Sequence, residues 1–238
     1  MPSAPNHDPN KKLGKAAEAA LKLAAQTPWA RVSARAIADA AELALADLYE
    51  LGGKAALLEA IDAKFDAAMG LDMPELSPDA SDVERRSYLA EVMMQRFDAM
   101  ETHRQAVLNI QSFYEANPSE MARVAVRRGR SARWALFTAG IDEAAMGLKA
   151  VVIAGIFLRA NGIWRDDVAP CERTMAAIDG DLRQLENWRQ DFERLGDMVQ
   201  SVFSGGKKKS ASEEGWTSPE ENDPEPENQP SSKPPPPL

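Results

Sequence analysis

Residues 31–58 read RVSARAIADAAELALADLYELGGKAALL, and this stretch decides the fold. Its apolar side chains recur every three or four residues, which is the spacing of helices that bury one face. Ser33 stands where its side chain can cap the first of these helices, and the pattern is interrupted near Glu42 and again at a pair of glycines. The stretch therefore predicts two short helices and a longer one, packed against a helix that ends before Pro28.

A connector divides the chain into two helical parts. Residues 71–82, LDMPELSPDASD, contain two prolines and break the helical pattern. We predict a helical head domain at 11–70 and a helical bundle at 82–204. Both ends of the chain are rich in polar residues and proline, so we expect disorder at 1–10 and 205–238.

The bundle is expected to contain helices and no sheet, which makes the whole protein all-α. Its most apolar stretch, 146–164, is interrupted by polar and charged residues and is shorter than the roughly 20 residues that a spanning helix needs. We therefore predict a buried helix there and no transmembrane segment. The four helices of the bundle are predicted at 88–114, 119–139, 142–163 and 174–203.

The charge balance limits how this chain meets other molecules. It has 37 acidic and 28 basic side chains and a formal net charge of -9. No diffuse positive field would draw such a molecule onto nucleic acid, so any nucleic-acid contact must be local. One cysteine excludes an intramolecular disulfide, and the first residues lack a secretory signal, so we expect a cytoplasmic protein.

Specific residues within 13–65 carry a family resemblance. An Ile-Ala pair at 37–38, a Leu-Tyr pair at 48–49 and Lys54 before an apolar helix follow the pattern of the TetR family of bacterial transcriptional regulators, which this segment resembles. The resemblance implies a three-helix, helix-turn-helix head that binds double-stranded DNA. By the same resemblance, Ser33, Arg35, Tyr49 and Lys54 would contact the DNA backbone, and Leu45, Ala46 and Glu50 would face the bases.

Several residues depart from that pattern. Glu42 replaces the turn glycine, which costs about 1 kcal/mol if the residue takes a positive φ. Ala44 replaces the serine that caps the recognition helix, and Asp47 and Glu50 place carboxylates toward a polyanion. Two interpretations follow: a ligand-responsive DNA-binding repressor, or a protein of TetR-like fold that has lost DNA binding and binds lipid or a protein partner.

The second half of the chain resembles the ligand-binding and dimer-forming half of TetR proteins. More faintly, Trp164, the Asp166-Asp167 pair and the segment 174–179 resemble the lipid-binding accessory proteins of coenzyme Q biosynthesis, which share the fold. Either resemblance implies a cavity for an apolar small molecule or lipid, whereas the alternative is an ordinary filled core. The residues that would line the cavity are Trp134, Phe137, Met146, Ile153, Phe157 and Trp164.

Two further features bear on partners. Five arginines, Arg123, Arg127, Arg128, Arg130 and Arg133, lie on one predicted helix and either bind an anionic group or form a solvated face. Glycines at 147 and 155 permit close approach of helices, and the last two helices of the TetR family pair with those of a second subunit. We therefore expect a homodimer.

No arrangement of residues predicts catalysis. The chain has two histidines and neither a metal-ligand spacing, a phosphate-binding glycine loop nor a nucleophile elbow. We expect no enzyme, no metal and no cofactor. His103 is expected to pack or to lie at the surface, and Asp166 and Asp167 to lie in a loop or to cap a helix.

Overall fold

The computed structural model describes residues 8–141 and 143–185 and, within 143–146, the backbone alone. Over these residues the chain is helical without a strand, so the predicted all-α fold is confirmed. The segments predicted at 186–204 and 205–238 lie outside the described residues. The helices are α1 Pro9–Gln26, α2 Ala34–Ala40, α3 Leu45–Glu50, α4 Gly53–Asp66, α5 Asp82–Glu101, α6 Arg104–Glu115, α7 Pro118–Thr138, α8 Glu143–Trp164 and α9, which is described over 172–185.

Helix α1 begins earlier than the sequence suggested and ends where it predicted. The Asp8 side chain accepts a hydrogen bond from the Asn10 amide at 3.0 Å, and Pro9 occupies the first helical position, where its missing N–H costs nothing. The helix ends at Gln26, before Pro28. Its buried face is mostly alanine, which lets neighbouring helices approach closely.

Helix α2 is delimited by two local hydrogen-bonding motifs. The Ser33 hydroxyl accepts from the Ala36 amide at 3.1 Å, which confirms the predicted cap. At the other end, Leu43 N–H donates to the Ala38 carbonyl at 2.9 Å and Glu42 N–H donates to the Asp39 carbonyl at 3.2 Å. This is the Schellman arrangement, and it requires Glu42 at positive φ, here 56°.

The segment predicted as one helix at 88–114 is two helices, so this prediction is wrong. His103, with φ -122° and ψ 24°, interrupts the helix between α5 and α6. The Thr102 hydroxyl donates to the Ala99 carbonyl at 2.8 Å, and α6 then packs on α1, where Asn109 Nδ2 donates to the Ala24 carbonyl at 2.7 Å. Neither glycine nor proline marks the break, because a tertiary contact determines the new direction.

Helix α8 buries one face and leaves the other exposed. By length and composition Gly147–Trp164 would suffice to cross a membrane, and a third of these residues are buried inside the protein. The backbone departs from helical geometry at Gly147. The buried positions recur at spacings of three and four and pack into a core shared by the head and the bundle: Ala150, Ile153, Phe157, Ala160 and Trp164.

The loop after α8 is held by side chains that cap both adjoining helices. Arg104 Nη2 donates to the carbonyls of Trp164 and Asp167 at 2.9 and 2.5 Å. Asp167 Oδ2 accepts from the amide and the hydroxyl of Thr174, each at 2.8 Å. Although burial raises the pKa of Asp167, these hydrogen bonds lower it overall. The predicted cap or loop role is confirmed for Asp167.

Candidate nucleic-acid interface and a buried charge cluster

The outer side of α3 is open to solvent, while its inner side anchors the helix. Leu48 is fully buried in the core, whereas the neighbouring Tyr49 is 84% exposed. The turn that follows contains Gly52 at φ 93°, where an added Cβ would lie 3.0 Å from the Ala56 Cβ. Six of the seven predicted DNA-contacting residues are exposed: Ser33, Arg35, Leu45, Ala46, Tyr49 and Glu50.

Lys54, the seventh predicted contact, is directed into the protein. Its Nζ donates to the carbonyls of Trp29 and Val32 at 2.9 and 2.8 Å and lies 4.6 Å from the centre of the Trp29 ring. Burial lowers the pKa of this ammonium group. Lys54 thus fastens the start of α4 to the turn after α1, and its phosphate contact stays a prediction that this geometry does not favour.

Asp47 is partly buried and contacts both Lys12 and the Ala44 amide. Its Oδ1 pairs with Lys12 Nζ at 2.8 Å, and its Oδ2 accepts from the Ala44 amide at 3.3 Å. The carboxylate therefore makes the reciprocal bond of a capping box, whereas Ala44 has no side-chain oxygen to accept from the first-turn amides. The first turns of α1 lie beside α3, and they also carry the exposed Lys11 and Lys15. Sequence reasoning missed this pairing, since 35 residues separate the partners.

The predicted apolar cavity is not assembled from the residues proposed for it. Trp134 and Phe137 are 44% and 58% exposed and stack on each other with ring centres 5.8 Å apart. Ile153, Phe157 and Trp164 are buried in the filled core. The side chain of Met146 lies outside the described part of the chain.

The arginine-rich helix divides between surface and core. Arg123 and Arg130 are exposed and pair with Glu120 and Glu59, as a solvated face would. Arg127 and Arg128, in contrast, are only 4% and 7% exposed. The helical period turns these two toward the core rather than toward solvent.

Two aspartates of α4 meet three buried arginines, and we call these five side chains the charge cluster: Asp62, Asp66, Arg96, Arg127 and Arg128. Arg96 Nη2 lies 2.8 Å from Asp62 Oδ1, and Arg96 Nε lies 2.7 Å from Asp66 Oδ1. Arg127 Nε lies 2.6 Å from Asp62 Oδ2, and Arg128 also contacts Asp62. Burial raises the pKa of Asp62, but the three guanidinium groups outweigh it and lower that pKa overall.

A cavity of about 50 Å³ opens beside the charge cluster, between α4, α5, α6, α7 and α8. The polar side chains that line it are Asp62, Arg96, Gln111, Tyr114, Arg128 and Asn161. Gln111 Nε2 donates to Asn161 Oδ1 at 2.8 Å, while Gln111 Oε1 is buried without a hydrogen-bond partner among the described residues. The remaining wall is mainly apolar. The sequence analysis singled out Arg127 and Arg128 of this site and missed Arg96, whose signal is an arginine within a run of buried apolar residues.

No protein-family model, curated protein or solved structure matches this chain. Within residues 8–141 and 143–185, no group of three or more His, Cys, Asp or Glu side chains is arranged to hold a metal ion. What the protein does is therefore inferred from its own residues.

Proposed function

We propose that this protein is a homodimeric, ligand-responsive DNA-binding regulator whose α3 enters the major groove. The observation that carries the proposal is the outer side of α3, where Tyr49 stands exposed while Asp47 is neutralised by Lys12. One of the two carboxylates that would oppose DNA is thereby paired with a cation. The other, Glu50, stays exposed and is able to accept a hydrogen bond from a cytosine N4.

Local positive charge supports contact with phosphates despite the net charge of -9. Arg31 and Arg35 are exposed at the start of α2, and Lys11 and Lys15 are exposed on α1, whose neighbouring Lys12 contacts α3. Basic side chains around a short recognition helix position it on the duplex without reading the sequence. They also make affinity fall as salt rises.

The exposed side of α8 supports pairing with a second copy. Val151 is 67% exposed, and an added Cβ at Gly155 or Gly162 would meet nothing within 4 Å. Apolar or small residues follow one another at spacings of three, four, three and four, which is the heptad spacing of a helix that packs on another helix. The exposed stripe consists of Leu148, Val151, Gly155, Leu158 and Gly162. A two-fold dimer would set two recognition helices about 34 Å apart.

The same stripe favours one alternative function. A protein of this fold that no longer binds DNA would use the apolar side of α8, together with the exposed Trp134 and Phe137, to bind a lipid. Heptad spacing favours a helix as the occupant, because lipid chains impose no such register. Co-purifying lipid in a protein that retards no DNA would support the alternative.

DNA binding is tested by the retardation of a labelled duplex that covers the region upstream of the protein's own gene. We expect retardation that weakens as KCl rises from 50 to 200 mM. Tyr49→Ala should weaken binding about tenfold, the equivalent of ~1.4 kcal/mol. Leu71→Ala, at an exposed position outside the head helices, is the matched control. The absence of retardation even at 50 mM KCl would remove the proposal.

Dimerisation is tested by sedimentation of the full chain. Val151→Asp places a charge in the centre of the α8 stripe and should convert the dimer to a monomer. Val83→Asp makes the same change at an exposed position near the start of α5 and should leave the dimer intact. A dimer that survives Val151→Asp would contradict pairing through α8.

A further inference from the structure

The charge cluster carries more positive than negative charge. Within the described part of the chain it contains three guanidinium groups and two carboxylates, so the cluster has an excess of one positive charge although each guanidinium group contacts a carboxylate. Burial and the neighbouring Arg128 lower the pKa of Arg96, against the opposing effect of Asp66 and Asp62. An uncompensated buried cation is costly, so a bound monoanion would relieve the cluster.

Two guanidinium nitrogens of the charge cluster lack a strong acceptor. Arg96 Nη1 donates to Met100 Sδ at 2.8 Å, and a thioether is a weak acceptor. Arg127 Nη2 is buried without a hydrogen-bond partner among the described residues. Arg96 and Arg128 line the cavity directly. Of these two, Arg96 has the nitrogen without a strong acceptor, whereas Arg128 already donates to Ser131 and contacts Asp62. The planar guanidinium group of Arg96 matches the paired oxygens of a carboxylate.

Gln111, which also lines the cavity, needs a hydrogen-bond donor. Its Oε1 is buried and accepts no hydrogen bond from the described residues, while its Nε2 is already used by Asn161. A bare carboxylate cannot satisfy that oxygen, because it has no hydrogen to donate. A hydroxyl group on the same small molecule would satisfy it.

The volume and the wall residues of the cavity limit the size and the chemical class of its ligand. About 50 Å³ is roughly three to five times the space that a single water needs, so the cavity admits a molecule of a few non-hydrogen atoms. Ile61, Phe65 and Ile110 form part of its wall. Apolar walls favour a carbon skeleton over an inorganic oxyanion.

We propose that the cavity beside the charge cluster binds a small hydroxycarboxylate, with its carboxylate on Arg96 and Arg128 and its hydroxyl on Gln111 Oε1. Binding of the hydroxycarboxylate does not depend on whether the protein binds DNA. The further role of this ligand as an effector that shifts the regulator between DNA-binding and released states rests on the proposed function.

Calorimetric titration and thermal unfolding of the full chain test the site with sodium lactate and glycolate as probes. We expect saturable binding and a raised unfolding temperature at millimolar concentrations. Acetate and propionate should bind at least about fivefold more weakly, because they leave Gln111 Oε1 unpaired. Chloride and phosphate at the same ionic strength should give no saturable heat. Equal responses to all of these salts, or a response to phosphate alone, would overturn the assignment.

A charge-compensating variant separates ligand binding from folding. Gln111→Glu supplies the missing negative charge from the protein, so the variant should unfold at the same or a higher temperature without ligand. It should bind lactate at least about tenfold more weakly, since two like charges would share one small cavity. Gln105→Glu makes the same change at an exposed position of α6 and should bind normally. A Gln111→Glu variant that binds lactate as well as the parent contradicts the site.

The effector role is examined separately, by adding lactate to the retarded DNA complex. Lactate that binds the protein and releases the DNA supports the inference in full. Binding without release removes the effector role and leaves the site, and retardation without any lactate binding removes the site and leaves the DNA-binding proposal. No retardation with normal lactate binding removes the proposed function and leaves the site.

Discussion

At the scale of single residues, Glu42 shows how the head tolerates an unfavourable backbone. Its φ of 56° belongs to a region in which side chains with a Cβ are disfavoured by about 1 kcal/mol. Two hydrogen bonds of the Schellman arrangement close around it, and Leu43 packs against the core. The turn therefore keeps the geometry of a glycine turn without a glycine.

Glycine at this position should stabilise the protein. We expect Glu42→Gly to raise the free energy of unfolding by about 1 kcal/mol in urea denaturation, because the strain at positive φ is released. Glu42→Ala is the control, since it removes the carboxylate and keeps the Cβ. An equal gain in the alanine variant would assign the effect to charge instead of backbone.

Local rules predicted some of these residues and failed for others. Ser33 as a cap and Glu42 at a turn could be predicted because each depends on neighbours within a few positions. The inward direction of Lys54 could not, since its partners Trp29 and Val32 are brought to it only by the packing of α4 on the preceding turn. Long side chains near a surface take whichever partner the fold provides.

At the scale of elements, α3 is short and depends on its first turn. Six residues provide few internal hydrogen bonds, and Ala44 at the capping position has no side-chain acceptor. Asp47 supplies one by reaching back to the Ala44 amide and also joins the helix to α1 through Lys12. The stability of the helix is thus tied to a side chain at its third position.

The stability lost when the Asp47 side chain is removed should be recovered by a serine at the capping position 44. We expect Asp47→Ala to lower the free energy of unfolding by about 1 kcal/mol. Ala44→Ser in the same background should recover at least half of the loss, because the serine hydroxyl accepts from the first-turn amides. Urea denaturation of the three variants measures both effects. A serine that restores nothing would show that the Lys12 pair alone carries the contribution of Asp47.

Element boundaries were predicted well where proline or capping residues mark them. The end of α1 and the starts of α7 and α8 fall within two residues of expectation. The division between α5 and α6 was missed, because the apolar period continues through Thr102 and His103 while the chain turns back to meet α1. The spacing of apolar residues indicates which residues are buried, but it does not indicate where the chain changes direction.

At the scale of the molecule, the charge cluster joins the predicted head to the predicted bundle. Asp62 and Asp66 belong to α4, whereas their partners belong to α5 and α7. Sequence reasoning gave the arginines of α7 two possible roles and did not pair any of them with α4. Opposite charges separated by thirty or more residues leave no periodic signal.

Asp62 should make stability depend on pH in acid. Its pKa in the folded protein lies below the ordinary value of about 3.9, so its contribution is fully present above that value and is lost as pH falls through the folded pKa. Asp62→Asn should cost about 3 kcal/mol at pH 7, because three arginines then face a single aspartate. The cost should shrink as pH falls below the ordinary pKa of about 3.9 and through the lower pKa of the folded protein.

Urea denaturation between pH 2 and 7 measures this dependence. Asp72→Asn, at an exposed position of the connector, provides the control and should follow the parent protein throughout. A cost for Asp62→Asn that stays constant with pH would mean that the carboxylate charge is not what holds the cluster.

Because Lys12 pairs with Asp47, a residue of α1 determines part of the charge that α3 exposes to solvent. Under the proposed function, a substitution at position 12 would act genetically like a mutation in α3, although Lys12 itself would touch no base. Lys12→Glu would replace the cation beside Asp47 with a second carboxylate, and Asp47→Lys in the same background would restore an ion pair of reversed polarity and suppress that defect.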